Sequence, residues 1–342
     1  MTKDPTNRRK IEHLRIVAED PGVERSGGYF DAIRLEHRAL PELDLARIDP
    51  HVVFLGKRLS FPLLISSMTG GDHEELRRIN RNLALAAQTT GIGMAVGSQR
   101  VIFTTPAARS AFTLRQYAPD TLLCANLGAV QLNYGFTERA CREAVDLVGA
   151  DALYLHLNPL QEAIQPEGNT NFAGLAEKIG QVAASLPVPL IVKEVGCGIS
   201  ARDVALLLSH GIRYIDVAGT GGTSWSRIEH HRSPDREMSI GLTFQDWGIP
   251  TPEALRLLRP FRDRVTLVAS GGLRSGIDIA KAIILGASLC AMAAPFLEPA
   301  MESPQAVVRH IERIKREFVT TMFLLGVSNV ATLFGNESLL RP

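Results

Sequence analysis

The chain has 342 residues, with 37 Lys and Arg against 36 Asp and Glu and a formal net charge of +1, so it carries no global field that would gather nucleic acid or an anionic membrane. Its length suits one large α/β barrel with insertions, or two ordinary domains. The four cysteines, Cys124, Cys141, Cys197 and Cys290, are widely spaced and form neither a C-x-x-C pair nor a dense disulfide pattern, as expected of reduced thiols in a cytoplasmic protein.

From the amino terminus, MTKDPTNRRKIEHLRI has basic residues but no apolar run behind them, and nothing later approaches the roughly 18 apolar residues of a membrane helix. Strand-like runs begin only at Pro62, so residues 1–61 read as an extension packing on a domain formed by 62–342. Eight short apolar runs then follow: PLLISS from Pro62, IGMAV from Ile92, LLCANL from Leu122, ALYLHL from Ala152, LIVKEV from Leu190, YIDVAG from Tyr214, VTLVAS from Val265 and LCAMAA from Leu289. Segments with helical apolar spacing lie between them, such as EELRRINRNLALAAQTT and ARDVALLLSHG, several ending near a glycine. Strands apolar on both faces and alternating with helices predict a parallel sheet covered by helices, and eight units favour a closed (β/α)8 TIM barrel over an open sheet. One connection, Gly219 to Pro252 after the sixth strand, is long enough to be a lid or binding loop.

In such a barrel the chemistry collects where the strands end. The strand ends here carry MTGG (Met68 to Gly71), GSQR (Gly97 to Arg100), Asn126, HLNPLQE, Lys193 with GCG, GTGGTSW, SGGLRSG and AAPF. SGGLRSG follows the seventh strand and opens a helix, the place where these barrels commonly hold a phosphate on backbone N–H groups; a plain tight turn is the competing reading. Lys193 interrupts an apolar strand, which suits a lysine aimed at a ligand, with a salt bridge to Glu194 as the alternative. Arg9 and Lys10 read by themselves as solvated surface. His156 suits either a satisfied core position or a ligand contact. Glu162 beside neutral amides suits the sparse protein ligation of Mg²⁺, which takes one or two carboxylates with phosphates and waters; no three-ligand zinc cluster is visible.

Taken together, RRKIEH, FDAIRLEHRALPELD, MTGGDHEELRRIN, GSQR, HLNPLQE, VKEVGCGIS, AGTGGTSW and SGGLRSGIDIAKAIILGA, in this order and nearly end to end, resemble the type 2 isopentenyl-diphosphate isomerases, which are FMN-dependent. The resemblance implies interconversion of isopentenyl and dimethylallyl diphosphate in isoprenoid biosynthesis, with reduced FMN, Mg²⁺ and NADPH as activating reductant. It implies FMN contacts at Met68, Thr69, Gly70, Ser98, Asn126, Lys193, Thr223, Gly271, Gly272, Arg274, Ala293 and Ala294. Diphosphate recognition would fall to Arg9, Lys10, Ser98, Arg100, His156, Asn158 and Gln161, Mg²⁺ to Glu162, and the chemistry to Gln161, His156 and Lys193. It further implies a homo-oligomer, tetramer or octamer, whose partner is a small diphosphate. Two alternatives remain at this point: an FMN-dependent 2-hydroxy-acid oxidase or dehydrogenase, and a non-catalytic flavin-binding barrel. An inosine-monophosphate-dehydrogenase-like barrel would need a nucleophilic loop cysteine, for which Cys197 is poorly suited.

Overall fold

The computed structural model describes residues 5–25, 29–68, 70–71 and 73–341. Ten strands run β1 (Val52–Phe54), β2 (Lys57–Leu59), β3 (Leu63–Ile65), β4 (Gly93–Ala95), β5 (Leu123–Gly128), β6 (Ala152–His156), β7 (Leu190–Lys193), β8 (Tyr214–Asp216), β9 (Thr266–Ser270) and β10 (Leu289–Met292) among the described residues. β3 to β10 close into a barrel in chain order, every neighbouring pair parallel. This is the (β/α)8 TIM barrel that the eight apolar runs predict, each strand falling within its predicted run except β5, which extends one residue further to Gly128.

The helices that matter for the site are α1 (Pro5–Glu19), α2 (Glu74–Thr90), α3 (Glu138–Val148), α4 (Pro159–Ile164), α5 (Leu175–Ser185), α6 (Ala201–Ser209), α7 (Trp225–Arg232), α8 (Thr251–Leu258) and α9 (Gly276–Ile284). Their apolar faces meet the outside of the barrel in one continuous core that includes Leu83, Val145, Ile179, Val204, Leu255 and Ile283. Inside the barrel the side chains are a smaller set, among them Leu64, Ala95, Cys124, Ala152, Tyr154, Ile191 and Val268. Burial of this kind is the main stabilising contribution to the fold.

The segment before β3 works at both ends of the barrel. β1 and β2 pair as an antiparallel hairpin, turned through Leu55 and Gly56, both at positive φ (49° and 77°), the geometry of a two-residue turn whose twist suits the strands it joins. Phe54 and Leu59 join the barrel-interior cluster, and Phe54 meets Tyr214, the first residue of β8, edge-on at 6.2 Å. The hairpin therefore seals the end of the barrel away from the strand termini. α1 lies at the opposite end against α7, which itself sits in the long connection after β8.

Candidate active site

A single cavity occupies the mouth, lined from the ends of all eight barrel strands and from α1. Ser66 and Met68 follow β3, Ser98 and Arg100 follow β4, and Asn126 and Gly128 end β5. β6 contributes His156, Asn158, Gln161 and Glu162; β7 contributes Lys193, Val195 and Gly196. Gly219 and Thr223 come after β8, Ser270 to Arg274 after β9, and Met292 to Ala294 after β10. Of the residues singled out from sequence, Gly70 is buried beside the Phe112 ring outside this lining, and Thr69 lies outside the described residues.

One wall is backbone. Gly271 has φ 94°, and a Cβ there would run into the Gly219 carbonyl oxygen. A Cβ on Gly222 would meet the Gly272 nitrogen at 3.0 Å. The GTGG and SGG turns thus press main chain on main chain, a packing only glycine permits. α9 begins behind them with a capping box, Ser275 Oγ accepting from the Asp278 N–H and Asp278 from the Ser275 N–H, which satisfies those amides locally. The cavity face here is the glycine turn with Leu273 and Arg274. Arg274 adds a cation; its Nη2 donates to Glu24 Oε2 at 2.5 Å, and Thr223 Oγ1 donates to the other oxygen of Glu24.

The facing wall is side chain. Asn158 Nδ2 donates to Gln161 Oε1 at 3.0 Å and to Glu162 Oε1 at 2.9 Å. Gln165 Nε2 donates to Glu162 Oε2 at 2.6 Å, and the Asn169 N–H donates to the same oxygen. Gln161 Nε2 in turn donates to Glu229 Oε1 at 2.8 Å. Glu229 comes from α7 and is 0 % exposed. Arg232 Nη1 donates to its Oε2, and His13 Nε2 lies 3.2 Å from its Oε1. Burial disfavours its charged form, yet His13, Arg232 and Gln161 outweigh that and hold it at about 2. Burial pushes His13 down to about 4 against the pull of Glu229, with Lys10 and Arg232 adding to the fall. His13 is therefore neutral near pH 7, and Arg232 carries the charge balance.

α1 brings its own face to this wall. Arg9, Lys10, His13, Leu14 and Val17 line the cavity, positions that recur on one side of a helix. The reading of Arg9 and Lys10 as solvated surface is thereby corrected: the Arg9 side chain is only 13 % exposed, because the helix lies over the mouth. Burial and the neighbouring Arg9 lower Lys10 to about 8. His13 also meets Trp225 edge-on at 5.1 Å, joining α1 to the start of α7.

The floor is polar. His156 Nδ1 lies 2.9 Å from Asn126 Oδ1, and Asn126 Nδ2 donates to Ser67 Oγ at 2.8 Å. With the asparagine so oriented, the imidazole Nδ1 is the donor and Nε2 is left as the acceptor. Burial first, then Lys10, Lys193 and Arg9, lowers His156 to about 3, so the ring is uncharged at neutral pH. The Asn126 N–H is held by Gln99 Oε1 at 2.9 Å. The Lys193 to Glu194 pairing does not form. Lys193 Nζ lies 3.5 Å from Asp216 Oδ2 on β8, while Glu194 turns away and accepts from the N–H groups of Val195 and Gly196 at 2.6 Å, as the alternation of strand side chains requires. Burial nonetheless raises Glu194 to about 7 against those donors and Lys193.

Sequence reading missed Glu229, His13, Gln99 and Asp216. Gln99 sits inside the GSQR motif and Asp216 interrupts an apolar strand much as Lys193 does, so both had a visible signal. Glu229 and His13 had none of that strength, since each lies on a polar helix whose partner is far along the chain.

A closed parallel barrel with a glycine-turn wall after β8 and β9 and a lysine in its floor is the architecture of the flavin barrels. The sequence model of the FMN-dependent dehydrogenases matches residues 155–341. Among solved structures, the flavin-binding domain of baker's yeast flavocytochrome b2 is similar with a TM-score of 0.67 at 18% identity, covering 93% of this chain and 78% of that one. A mandelate oxidase variant reaches a TM-score of 0.60 at 18% identity, covering 96% and 91%. At such identities these two speak for the fold alone. Far closer are the isopentenyl-diphosphate delta-isomerase of Paracoccus zeaxanthinifaciens, 54% identical over 97% of both chains, and that of Hydrogenovibrio crunogenus, 52% identical over 100% of both. The chain belongs to the isopentenyl-diphosphate delta-isomerase family, built on the FMN-dependent dehydrogenase barrel.

Proposed function

We infer that this protein isomerises isopentenyl diphosphate to dimethylallyl diphosphate in isoprenoid biosynthesis, an allylic shift of one double bond with no net oxidation. The observation that carries the reading is one cavity in which a glycine-turn wall faces a buried amide and carboxylate chain roofed by the basic face of α1. A hydroxy-acid oxidase has use for the first wall only. A simple flavin-binding barrel has no use for the second.

FMN fits the residues present. The turns at Gly271 and Gly272 with Arg274 and the Ala293 to Ala294 turn suit its phosphate end; Met68, Ser98, Asn126, Lys193 and Thr223 suit the ring and ribityl chain. Thr69 and Gly70, which follow Met68 in sequence, are assigned to FMN with it. When bound in its reduced form, with NADPH as the reductant that prepares it, FMN supplies an electron-rich ring beside the reacting carbons and a site for proton exchange. Lys193 favours that form by its positive charge.

Mg²⁺ fits sparsely. Among the described residues no group of three or more His, Cys, Asp or Glu side chains converges, but Glu162 offers a carboxylate and the neighbouring Asn158 Oδ1 is buried without a hydrogen-bond partner. Two hard oxygens completed by diphosphate oxygens and water match magnesium's habits. The diphosphate would be bound by that ion on one side and directly by Arg9, Lys10 and Arg100, with Asn158 and His156 as neutral hydrogen-bonding partners. Those contacts fix the C5 unit so that protonation at C4 and deprotonation at C2 proceed in one geometry. Gln161, whose amide is held at both ends by Glu229 and Asn158, then orients the reacting end rather than acting as a free acid.

We extend the reading to a homo-oligomer, tetramer or octamer, acting in the cytoplasm. Support for association is the exposed run of Met238, Ile240, Leu242 and Trp247 after α7, apolar surface of the kind that marks protein contacts. Among the described residues no helix is long and apolar enough to cross a membrane. The activity is tested by anaerobic incubation of isopentenyl diphosphate with protein, FMN, NADPH and Mg²⁺, each omitted in turn. Dimethylallyl diphosphate forms only in the complete mixture; its absence there would sink the assignment.

A further inference from the structure

At the cavity floor, three side chains from consecutive strands form a hydrogen-bonded chain around Lys193. Lys193 and Asp216 are register partners on β7 and β8, and Ser270 ends β9. Lys193 Nζ donates to Ser270 Oγ at 3.1 Å, and Ser270 Oγ donates to Asp216 Oδ1 at 2.6 Å. Nζ is also 3.5 Å from Asp216 Oδ2. Lys193 and Ser270 line the cavity, whereas Asp216 lies beneath it, 0 % exposed.

Two further contacts tie Asp216 to its surroundings. Its Oδ1 accepts from the Ala218 N–H at 3.2 Å, and Ala218 is a non-glycine residue at φ 37°, a sparsely populated conformation of the kind kept where function requires it. Inside the barrel, burial first and then the charge of the same carboxylate keep the Tyr154 phenol well above its ordinary range. One carboxylate thus joins the lysine, the barrel interior and the first residue of the glycine turn.

We propose that Asp216 is the positioning residue for Lys193, holding its ammonium by a direct contact and through Ser270 so that the charge faces the ring of a bound flavin. The proposal rests on the placement of FMN over Lys193 given above. A lysine on a flexible four-carbon stem in a dry pocket needs such a partner, since a buried ammonium left with a hydroxyl alone is costly and turns away or neutralises. A merely structural ion pair would stabilise the barrel without moving a property of the flavin.

The sign of one measurement separates the two roles. Positive charge at the ring favours reduced FMN, so loss or misplacement of Lys193 lowers the midpoint potential. Deleting a nearby negative charge, acting through space alone, raises it. The FMN-loaded wild type, Asp216→Asn, Ser270→Ala, Lys193→Met and the Asp216→Asn/Lys193→Met double variant are titrated anaerobically against a reference dye, with FMN affinity measured alongside.

Lys193→Met and Asp216→Asn each weaken the preference for reduced over oxidised FMN by about tenfold, or about 30 mV for a two-electron couple. Ser270→Ala gives a smaller shift of the same sign, and carries the test if Asp216→Asn does not fold. Asp216→Asn gives no further fall once Lys193 is methionine, the non-additivity of residues acting as one unit. A raised potential in Asp216→Asn, or an equal fall with and without Lys193, overturns the positioning role. An effect of Lys193→Met with none from Asp216→Asn or Ser270→Ala overturns it as well. If Lys193→Met itself leaves the potential unchanged, the placement of Lys193 at the flavin fails, and the proposal with it.

Discussion

The two walls of the cavity are built by opposite means. The wall after β8 and β9 is main chain, two glycine turns in contact with one another, and its geometry is set within a few residues of sequence. The facing wall is a chain of side-chain hydrogen bonds that runs from Asn169 and Gln165 through Glu162, Asn158 and Gln161 to Glu229, then to Arg232 and α1. Its members lie up to about two-thirds of the chain apart. The backbone wall is the part that a barrel can share across many reactions; the side-chain wall is the part that commits it to one.

If that division is right, breaking the walls gives different losses. Gly271→Ala attacks the backbone wall at a residue with φ 94° whose Cβ has no room. FMN affinity is expected to fall more than a hundredfold, read by fluorescence titration, with a lower melting temperature, since strained backbone and a clash with main chain add.

The side-chain wall breaks in the other sense. Glu229→Ala removes a buried acceptor from Gln161 and leaves Arg232 without that charge, a change on the order of 3–5 kcal/mol in buried pairs. kcat is expected to fall about a hundredfold with FMN affinity changed less than threefold. Gln161→Ala follows the same pattern; unchanged turnover in it would remove the orienting role. A smaller effect is expected of Glu162→Ala, which shifts the Mg²⁺ titration about tenfold toward weaker binding, the range found when metal-site groups are altered; a titration identical to wild type would count against the metal role.

The smallest effect is a pH limb. Lys10 is lowered to about 8 by burial and Arg9, so it loses its charge as pH rises through that value. kcat/KM, which reports ionisations of the free enzyme, is expected to decline above pH 8, with that limb absent from Lys10→Met. Because the folded value lies below the unfolded 10.5, the unfolded chain binds more protons between the two values and the group's contribution to stability rises with pH across that window. The decline is then not an unfolding event.

The same division explains what could be read in advance. The eight strands and the glycine turns were legible because each signal is local: an apolar run, a glycine at a strand end. HLNPLQE was legible as a site because four polar side chains follow a buried strand at once. The hairpin plug was not, since β1 and β2 are three residues each and their burial comes from the barrel end they seal. Arg9 and Lys10 looked like surface because a helix's solvent face and a face over a cavity share one composition. Glu194 was a candidate partner for Lys193 by adjacency in sequence, whereas the partner in the fold is Asp216, one strand over. Glu229 depends on α7 being folded back over α4 and α1, which no local pattern announces.

Together the two walls perform a redox-neutral isomerisation. The direct measurement is the ratio of dimethylallyl diphosphate formed to NADPH oxidised in an anaerobic reaction with FMN, Mg²⁺ and excess isopentenyl diphosphate. Many product molecules are expected to form for each NADPH consumed. One NADPH oxidised per product, or flavin reduction by a 2-hydroxy acid with no allylic product, would contradict it.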